Sequence, residues 1–208
     1  MQTLLLVDLQ NDFFPGGALG VKEGDHIIPL VNEMMQYPFD LIVATKDWHP
    51  ASHGSFSTTH HKTPGEHVKL GGIDQILWPP HCIQGTWGAE YAPGWDTTHI
   101  DHVVYKGTDP SIDSYSAFFD NRHYKDTGLD AYLKSKGAKN LYIAGLATDY
   151  CVRYTVLDAI QLGYTPYVIV EACKAVNLKP TDEQDSLEQM QIAGAHLIHF
   201  HDLKALIT

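Results

Sequence analysis

Six short apolar runs, at positions 4–8, 41–45, 102–106, 140–144, 166–170 and 196–200, constrain the fold of this chain most. Most are continuous in their hydrophobicity rather than alternating, the pattern of strands buried on both faces. Helical patterns lie between several of them. HIIPLVNEMMQ follows the first run, GLDAYLKSKG precedes the fourth, CVRYTVLDAIQLG follows the fourth and TDEQDSLEQMQIAG precedes the sixth. In the third of these patterns Val152, Val156, Ala159 and Ile160 share one face and Gly163 is the stop; the last opens at Thr181 and closes at Gly194. Strands alternating with helices predict a parallel sheet covered by helices on both faces, a three-layer α/β/α fold.

With 208 residues, 44% hydrophobic and 19% charged, the chain can bury one sizeable core, and a single domain over 1–208 is expected. One excursion interrupts the rhythm. Positions 48–100 show little periodicity but much His, Gly, Pro and Trp. Long irregular loops in compact domains are usually functional or disordered, and the tryptophans and low charge speak against disorder. A formal net charge of -11 with no basic patch argues against nucleic acid and membrane surfaces as partners. No apolar stretch approaches the length of a membrane span. The start, MQTLLLVDLQNDF, lacks a basic n-region and a cleavage pattern, and reads as a first strand rather than a signal peptide. Three cysteines, Cys82, Cys151 and Cys173, form no framework, so a reducing cytoplasm is the simplest compartment.

The runs end in chemistry. The first closes at Asp8, the second leads into KDWH with Asp47 and His49, the third closes at Lys106 and the fourth leads into GLATDYC. In a parallel sheet the strand C-termini share one edge, where ligands bind, so these residues are expected to converge. Asp149 is a candidate N-cap for the helix that follows, placing Cys151 near its start, where the helix end favours a thiolate and free N–H groups can hold an oxyanion. A small buried apolar role weighs equally for Cys151 taken alone, and Cys173 reads as one. Asp8 alone reads as a turn or cap residue. With Lys106 it reads as an ion pair beside a thiol, able to take the thiol proton, with the lysine lowering the pKa of both.

Asp47 and His49, with His53 and His81 further on, combine carboxylate and imidazole, a donor set that suits zinc, iron or manganese. The signal is weak by itself, because thirteen histidines make chance pairs common. His60, His61 and His67 read as solvated. Phe13, Trp78, Tyr115 and Tyr150 could line a slot for a flat ring, although each alone is more often simple packing.

Five motifs occur in order: LLLVDLQNDFFPGGAL, VATKDWHPASHGSF, LWPPHCIQGTWGAE, VVYKGTDPSIDSYSAFFDN and IAGLATDYCVRYTVLDA. On these the whole chain resembles the nicotinamidases of the isochorismatase-like cysteine hydrolase superfamily. The resemblance implies a six-stranded parallel sheet of order 3-2-1-4-5-6 and a triad of Asp8, Lys106 and Cys151. It implies a non-proline cis peptide at Leu146–Ala147, with the N–H groups of Ala147 and Cys151 as oxyanion hole. Metal ligands map onto Asp47, His49 and His81, within the excursion that becomes a metal-binding loop; whether His53 joins them stays open. Phe13, Trp78, Tyr115, Leu146 and Tyr150 map onto the substrate site. The implied reaction is hydrolysis of nicotinamide, and of pyrazinamide, through a cysteine thioester in NAD salvage. A divalent metal is the cofactor, zinc before iron or manganese, and a small aromatic amide is the partner, with homo-oligomerisation open. Other small-amide or isochorismatase-type hydrolases on the same fold, or an inactive metal-binding protein, are the alternatives.

Overall fold

Continuous apolar strands bury both faces only if helices cover both sides of their sheet, and that is how the chain folds. A computed structural model describes residues 1–207. Strands β1 (Gln2–Val7), β2 (Leu41–Asp47), β3 (His102–Lys106), β4 (Asn140–Leu146), β5 (Thr165–Lys174) and β6 (His196–Ile198) form one parallel sheet in the order β3-β2-β1-β4-β5-β6. Numbered along the chain this is 3-2-1-4-5-6. Helices α1 (Ile28–Met34), α2 (Leu129–Lys136), α3 (Arg153–Gln161), α4 (Asp182–Ala193) and α5 (Phe200–Ile207) complete the layers.

The two-residue period of a strand divides β1 between two cores. Leu4 and Leu6 pack with Val31, Met34, Leu203 and Ile207 on one face. Leu5 and Val7 pack with Leu129, Leu133, Val156 and Met190 on the other. All four β1 side chains are fully buried, and each contributes about 1.5–3 kcal/mol by leaving water. That burial fixes β1 at the centre of the sheet and its C-terminal end, at Asp8, in the middle of the edge.

Two parts of the chain depart from the sequence reading. The last run was expected to extend to Phe200, but β6 stops at Ile198 and Phe200 opens α5. Glu171 explains the break: its carboxylate accepts the Phe200 N–H at 2.9 Å and holds the His199 ring at 2.7 Å. The excursion also contains a small antiparallel hairpin, His67–Leu70 with Ile73–Ile76, reversed at Gly71 and Gly72. The rest of the excursion is tied down by isolated bridges, His49 to Ile83 and Phe56 to Trp78, with Gln10 joined to Tyr91. Among the described residues no helix is long and apolar enough to cross a membrane.

Candidate active site

Asp8 comes directly after β1 with φ 51°, a left-handed turn that aims its carboxylate across the strand ends rather than along them. Its backbone N–H donates to Thr45 Oγ1 at 3.0 Å, and the Thr45 hydroxyl donates to Asp8 Oδ1. Lys106, the last residue of β3, reaches under β2 to the same point. Its ammonium lies 2.8 Å from Asp8 Oδ2, 3.1 Å from Asp47 Oδ1, 3.1 Å from the Ser114 carbonyl and 3.4 Å from Cys151 Sγ. The Lys106 and Asp8 side chains are wholly buried, where an ion stays charged only if its partners replace water. Two carboxylates and a carbonyl do so here.

Cys151 arrives from β4. The chain passes Gly145 (φ 130°), where a Cβ would lie 2.1 Å from the Val7 carbonyl oxygen, so only glycine lets β4 approach β1 so closely at this point. A cis peptide joins Leu146 to Ala147. A single π-helical turn, Thr148–Val152, then carries Cys151 into α3. The expected capping role of Asp149 is not what forms. Its carboxylate accepts the N–H groups of Val176 and Asn177, both at 2.9 Å, so it anchors the loop after β5 to the cysteine turn, and the residue before the turn is Ala147 in extended conformation.

The expected acidic shift of the thiol is also reversed. Burial pushes the Cys151 thiol well above its ordinary value, against the opposing pull of Lys106, and the Asp8 and Asp47 charges push the same way. Burial likewise raises Asp8, again against Lys106. Lys106 itself would be lowered by burial, but Asp47 and Asp8 hold it well above the lysine range. The resting site therefore has a protonated thiol beside a carboxyl raised above its ordinary range and a permanent cation.

Asp47, His49 and His81 bring one carboxylate oxygen and two ring nitrogens within 4.8 Å of one another. His49 Nδ1 faces the Gly107 carbonyl at 2.8 Å and His81 Nδ1 faces the Pro79 carbonyl at 2.8 Å. A carbonyl only accepts, so both rings carry their proton on Nδ1 and turn a bare Nε2 inward. Those Nε2 atoms lie 2.9 and 3.4 Å from Asp47 Oδ2. Two lone pairs and a carboxylate facing one point need a cation between them, and the set fits a divalent metal. Gly107, at φ 65°, makes room for this: a Cβ there would meet His49 Cε1 at 2.4 Å. Where no cation lies between these groups a proton takes that place: burial would lower His49, but Asp47 raises it, and burial alone would raise Asp47, but the charged ring and Lys106 in turn hold it well below the carboxylate range.

His53 stands differently. The Ser55 backbone N–H donates to His53 Nδ1 at 3.2 Å, which assigns the ring proton to Nε2, and that atom is buried without a partner. His53, His49 and buried Asp113 form a second group within 4.8 Å of one another. Of the other histidines, His61 and His67 are exposed as expected, whereas His60 is half-buried and faces the Gly54 carbonyl at 2.7 Å.

Above these groups lies a small pocket lined by Phe13, Leu19, Asp47, Trp78, His81, Asp113, Tyr115, Ala147, Tyr150, Cys151 and Val176. It is narrow and walled by rings: Trp78 stands edge-on to Tyr150 at 4.8 Å, and Phe13 edge-on to His81 at 5.5 Å. Ala147 and Cys151, the expected oxyanion pair, share its floor. Leu146 does not reach it; the side chain is fully buried in the core beneath, because strand alternation turns it away. Burial pushes the Tyr150 phenol up to about 12.

Residues that sequence reasoning missed hold the others in place. Thr45, a hydroxyl inside an apolar run, was the visible clue to the Asp8 contact. Gln10 accepts the Asp47 N–H at 2.7 Å and donates to the Asp47 carbonyl at 2.7 Å, pinning that peptide from both sides. Asp113 and Gln75 carried no periodic signal at all.

Residues 2–202 match the family model described as the isochorismatase domain. The chain is 45% identical to the nicotinamidase of Escherichia coli (strain K12), covering 97% of this chain and 96% of that one. Its structure is similar to that of an Acinetobacter baumanii nicotinamidase and pyrazinamidase, with TM-score 0.93, 42% identity and 97% of each chain covered. It is also similar to the pyrazinamidase of Pyrococcus horikoshii solved in complex with zinc, with TM-score 0.77, 39% identity and coverage of 95% and 98%.

Proposed function

The chain belongs to the isochorismatase domain family and hydrolyses nicotinamide to nicotinate and ammonia, and from that premise we propose how its own residues carry the reaction. The observation that supports this reading is one ammonium, Lys106 Nζ, 2.8 Å from a buried carboxylate and 3.4 Å from a buried thiol on the floor of a pocket shaped for a flat ring.

Phe13, Trp78, Tyr115 and Tyr150 hold the ring, and the carboxamide carbon comes to rest over Cys151 Sγ. Asp8, made basic by burial, takes the thiol proton as the S–C bond forms. The oxyanion is held by the N–H groups of Ala147 and Cys151. Asp8 returns its proton to the amide nitrogen, the C–N bond breaks and ammonia leaves a thioester. Water then attacks that carbonyl, giving its proton to Asp8. The C–S bond breaks, nicotinate is released and the thiol regains its proton. Lys106 stays charged throughout and compensates Asp8 whenever it is ionised.

Asp47, His49 and His81 would hold a divalent metal. Zinc suits this donor set, as iron or manganese also do. When bound, the cation supplies a Lewis-acid position beside the pocket for a ring nitrogen or for water. Pyrazinamide, with the same ring shape and carboxamide, is a second substrate. The three cysteines are all free thiols, which fits a reducing compartment, the cytoplasm, and one domain over 1–208 suffices for the whole site. Ammonia release across nicotinamide, pyrazinamide, benzamide and aliphatic amides tests the reading. The expected outcome is rapid release from the first two. Release from none of them would sink it in favour of an inactive metal-binding protein.

A further inference from the structure

Tyr115 lines the pocket, and its phenol oxygen has two close neighbours in the protein. Trp78 Nε1 lies 3.0 Å away and Gln75 Nε2 lies 2.8 Å away. An indole N–H can only donate. The sense of the Gln75 amide is settled independently of the phenol. Its Nε2 lies 2.8 Å from the Ile76 carbonyl and 3.4 Å from Asp113 Oδ2, both acceptors, while its Oε1 lies 3.4 Å from Asn121 Nδ2, a donor. Reversing the amide would set oxygen against oxygen twice.

The phenol oxygen thus receives two N–H donors, and its own hydrogen has to point away from both. Among the described residues no protein acceptor pairs with it, and Tyr115 is itself part of the pocket wall. Gln75 itself is buried, on the hairpin strand Ile73–Ile76, and does not line the pocket. We propose that Gln75 is a positioning residue which, with Trp78, fixes the Tyr115 hydroxyl as a donor into the pocket, so that the site selects a flat amide presenting a lone pair there. Removing Gln75 takes away one of the two N–H donors that fix the phenol oxygen, so its hydrogen is no longer held in the one direction the substrate needs. This inference rests on the hydrolase reading for the identity of the ligand, a nitrogen-containing aromatic amide whose acceptor is either the ring nitrogen or the carboxamide oxygen.

The test is kinetic. Gln75→Met and Tyr115→Phe should each lower kcat/KM for nicotinamide about tenfold, the range of one hydrogen bond to a buried partner. The double variant should fall no further than Tyr115→Phe alone, because Gln75 acts through the phenol. A merely structural role would not give this non-additivity. A ring-nitrogen acceptor leaves benzamide turnover unchanged in both variants; a carboxamide acceptor lowers both amides equally. Losses that multiply in the double variant, or an unchanged kcat/KM in Gln75→Met, would overturn the proposal. Should Gln75→Met fold poorly, Gln75→Asn keeps the amide but withdraws it from the phenol, and the same losses are expected. Nicotinate binding, followed by tryptophan fluorescence, separates the two readings. A protein that binds nicotinate but releases no ammonia breaks the hydrolase reading alone. Unweakened binding in both variants breaks this one.

Discussion

The edge of the sheet and the excursion that covers it each supply half of one site, and they do so by different means. Asp8, Lys106 and Cys151 sit at the ends of β1, β3 and β4 or on the turn just after, on backbone held by a continuous ladder. His49, Trp78 and His81 sit on backbone with almost no ladder, in an excursion held by single bridges and by side chains such as Gln10, which reaches from the segment after β1 to the Ala89 carbonyl. In the proposed reaction the groups that make and break bonds ride on the rigid part, whereas two of the three metal-facing groups, His49 and His81, and the Trp78 ring ride on the part that must be stapled, with Asp47 at the end of β2 joining the two. The comparison predicts that damage to the first half abolishes chemistry, whereas damage to the second is graded.

The largest effect belongs to the nucleophile. Cys151→Ala should lower turnover by on the order of 10⁴-fold or more, as loss of a covalent nucleophile does, with melting temperature and metal content preserved. A limiting thiol reagent should label Cys151 before Cys82 or Cys173. All three are buried, but of the three only Cys151 opens onto the pocket. Activity surviving the alanine would break the division at its root.

Next comes Lys106, which belongs to both halves. Lys106→Met should nearly abolish turnover and also cost about 3–5 kcal/mol of stability, because two buried carboxylates lose their cation. Denaturant unfolding of this variant beside Cys151→Ala checks it; equal stabilities would mean that the ion pairs contribute little.

Within the excursion the effects should be graded. Removing metal with a chelator should abolish most ammonia release, restored by added zinc, iron or manganese. His49→Ala and His81→Ala should lower bound metal by about 10–100-fold in affinity, as loss of a ligand or its support does. His53→Ala should do so less, since the Ser55 N–H on Nδ1 leaves the ring proton on Nε2. Bound-metal measurements on the three variants rank them directly; equal losses would make His53 a ligand.

The smallest effect is in pH. Asp8 must be ionised to take the thiol proton. Its folded pKa is raised by burial, above its ordinary 3.8. Protonation removes the base, so kcat/KM should fall as the solution is acidified, with an inflection above 3.8. The thiol limb lies well above 9, so no loss from that side should appear near neutrality. A rate unchanged down to pH 4 would show that burial does not tune Asp8.

The same division governs what was legible in the sequence. The sheet and its order could be read because hydrophobic continuity and strand period are local signals, and the positions of Asp8 and Lys106 followed from where those signals stop. The five ordered motifs supplied the correspondence for the metal set. What was not legible depended on contacts between distant segments. The hairpin carries only a half-exposed alternation, and Gln75 gained meaning only when Tyr115, 40 residues on, folded against it. Asp149 looked like a cap by position, yet its oxygens found the backbone of residues 176 and 177. The thiol shift was misjudged for a related reason: the lysine was visible in the sequence and the depth of burial was not.

Lys106 also bears on how such a site could be transplanted. Because one ammonium sits 2.8 Å from Asp8 and 3.1 Å from Asp47, the metal cradle and the thiol machinery are not separable modules. A designer who grafts the Asp47–His49–His81 cradle onto another parallel sheet carries over a carboxylate that already leans on a cation from a neighbouring strand. Without a lysine ending that strand, the borrowed cradle arrives with one charge uncancelled, and the host must supply a proton or a counter-ion before it can fold.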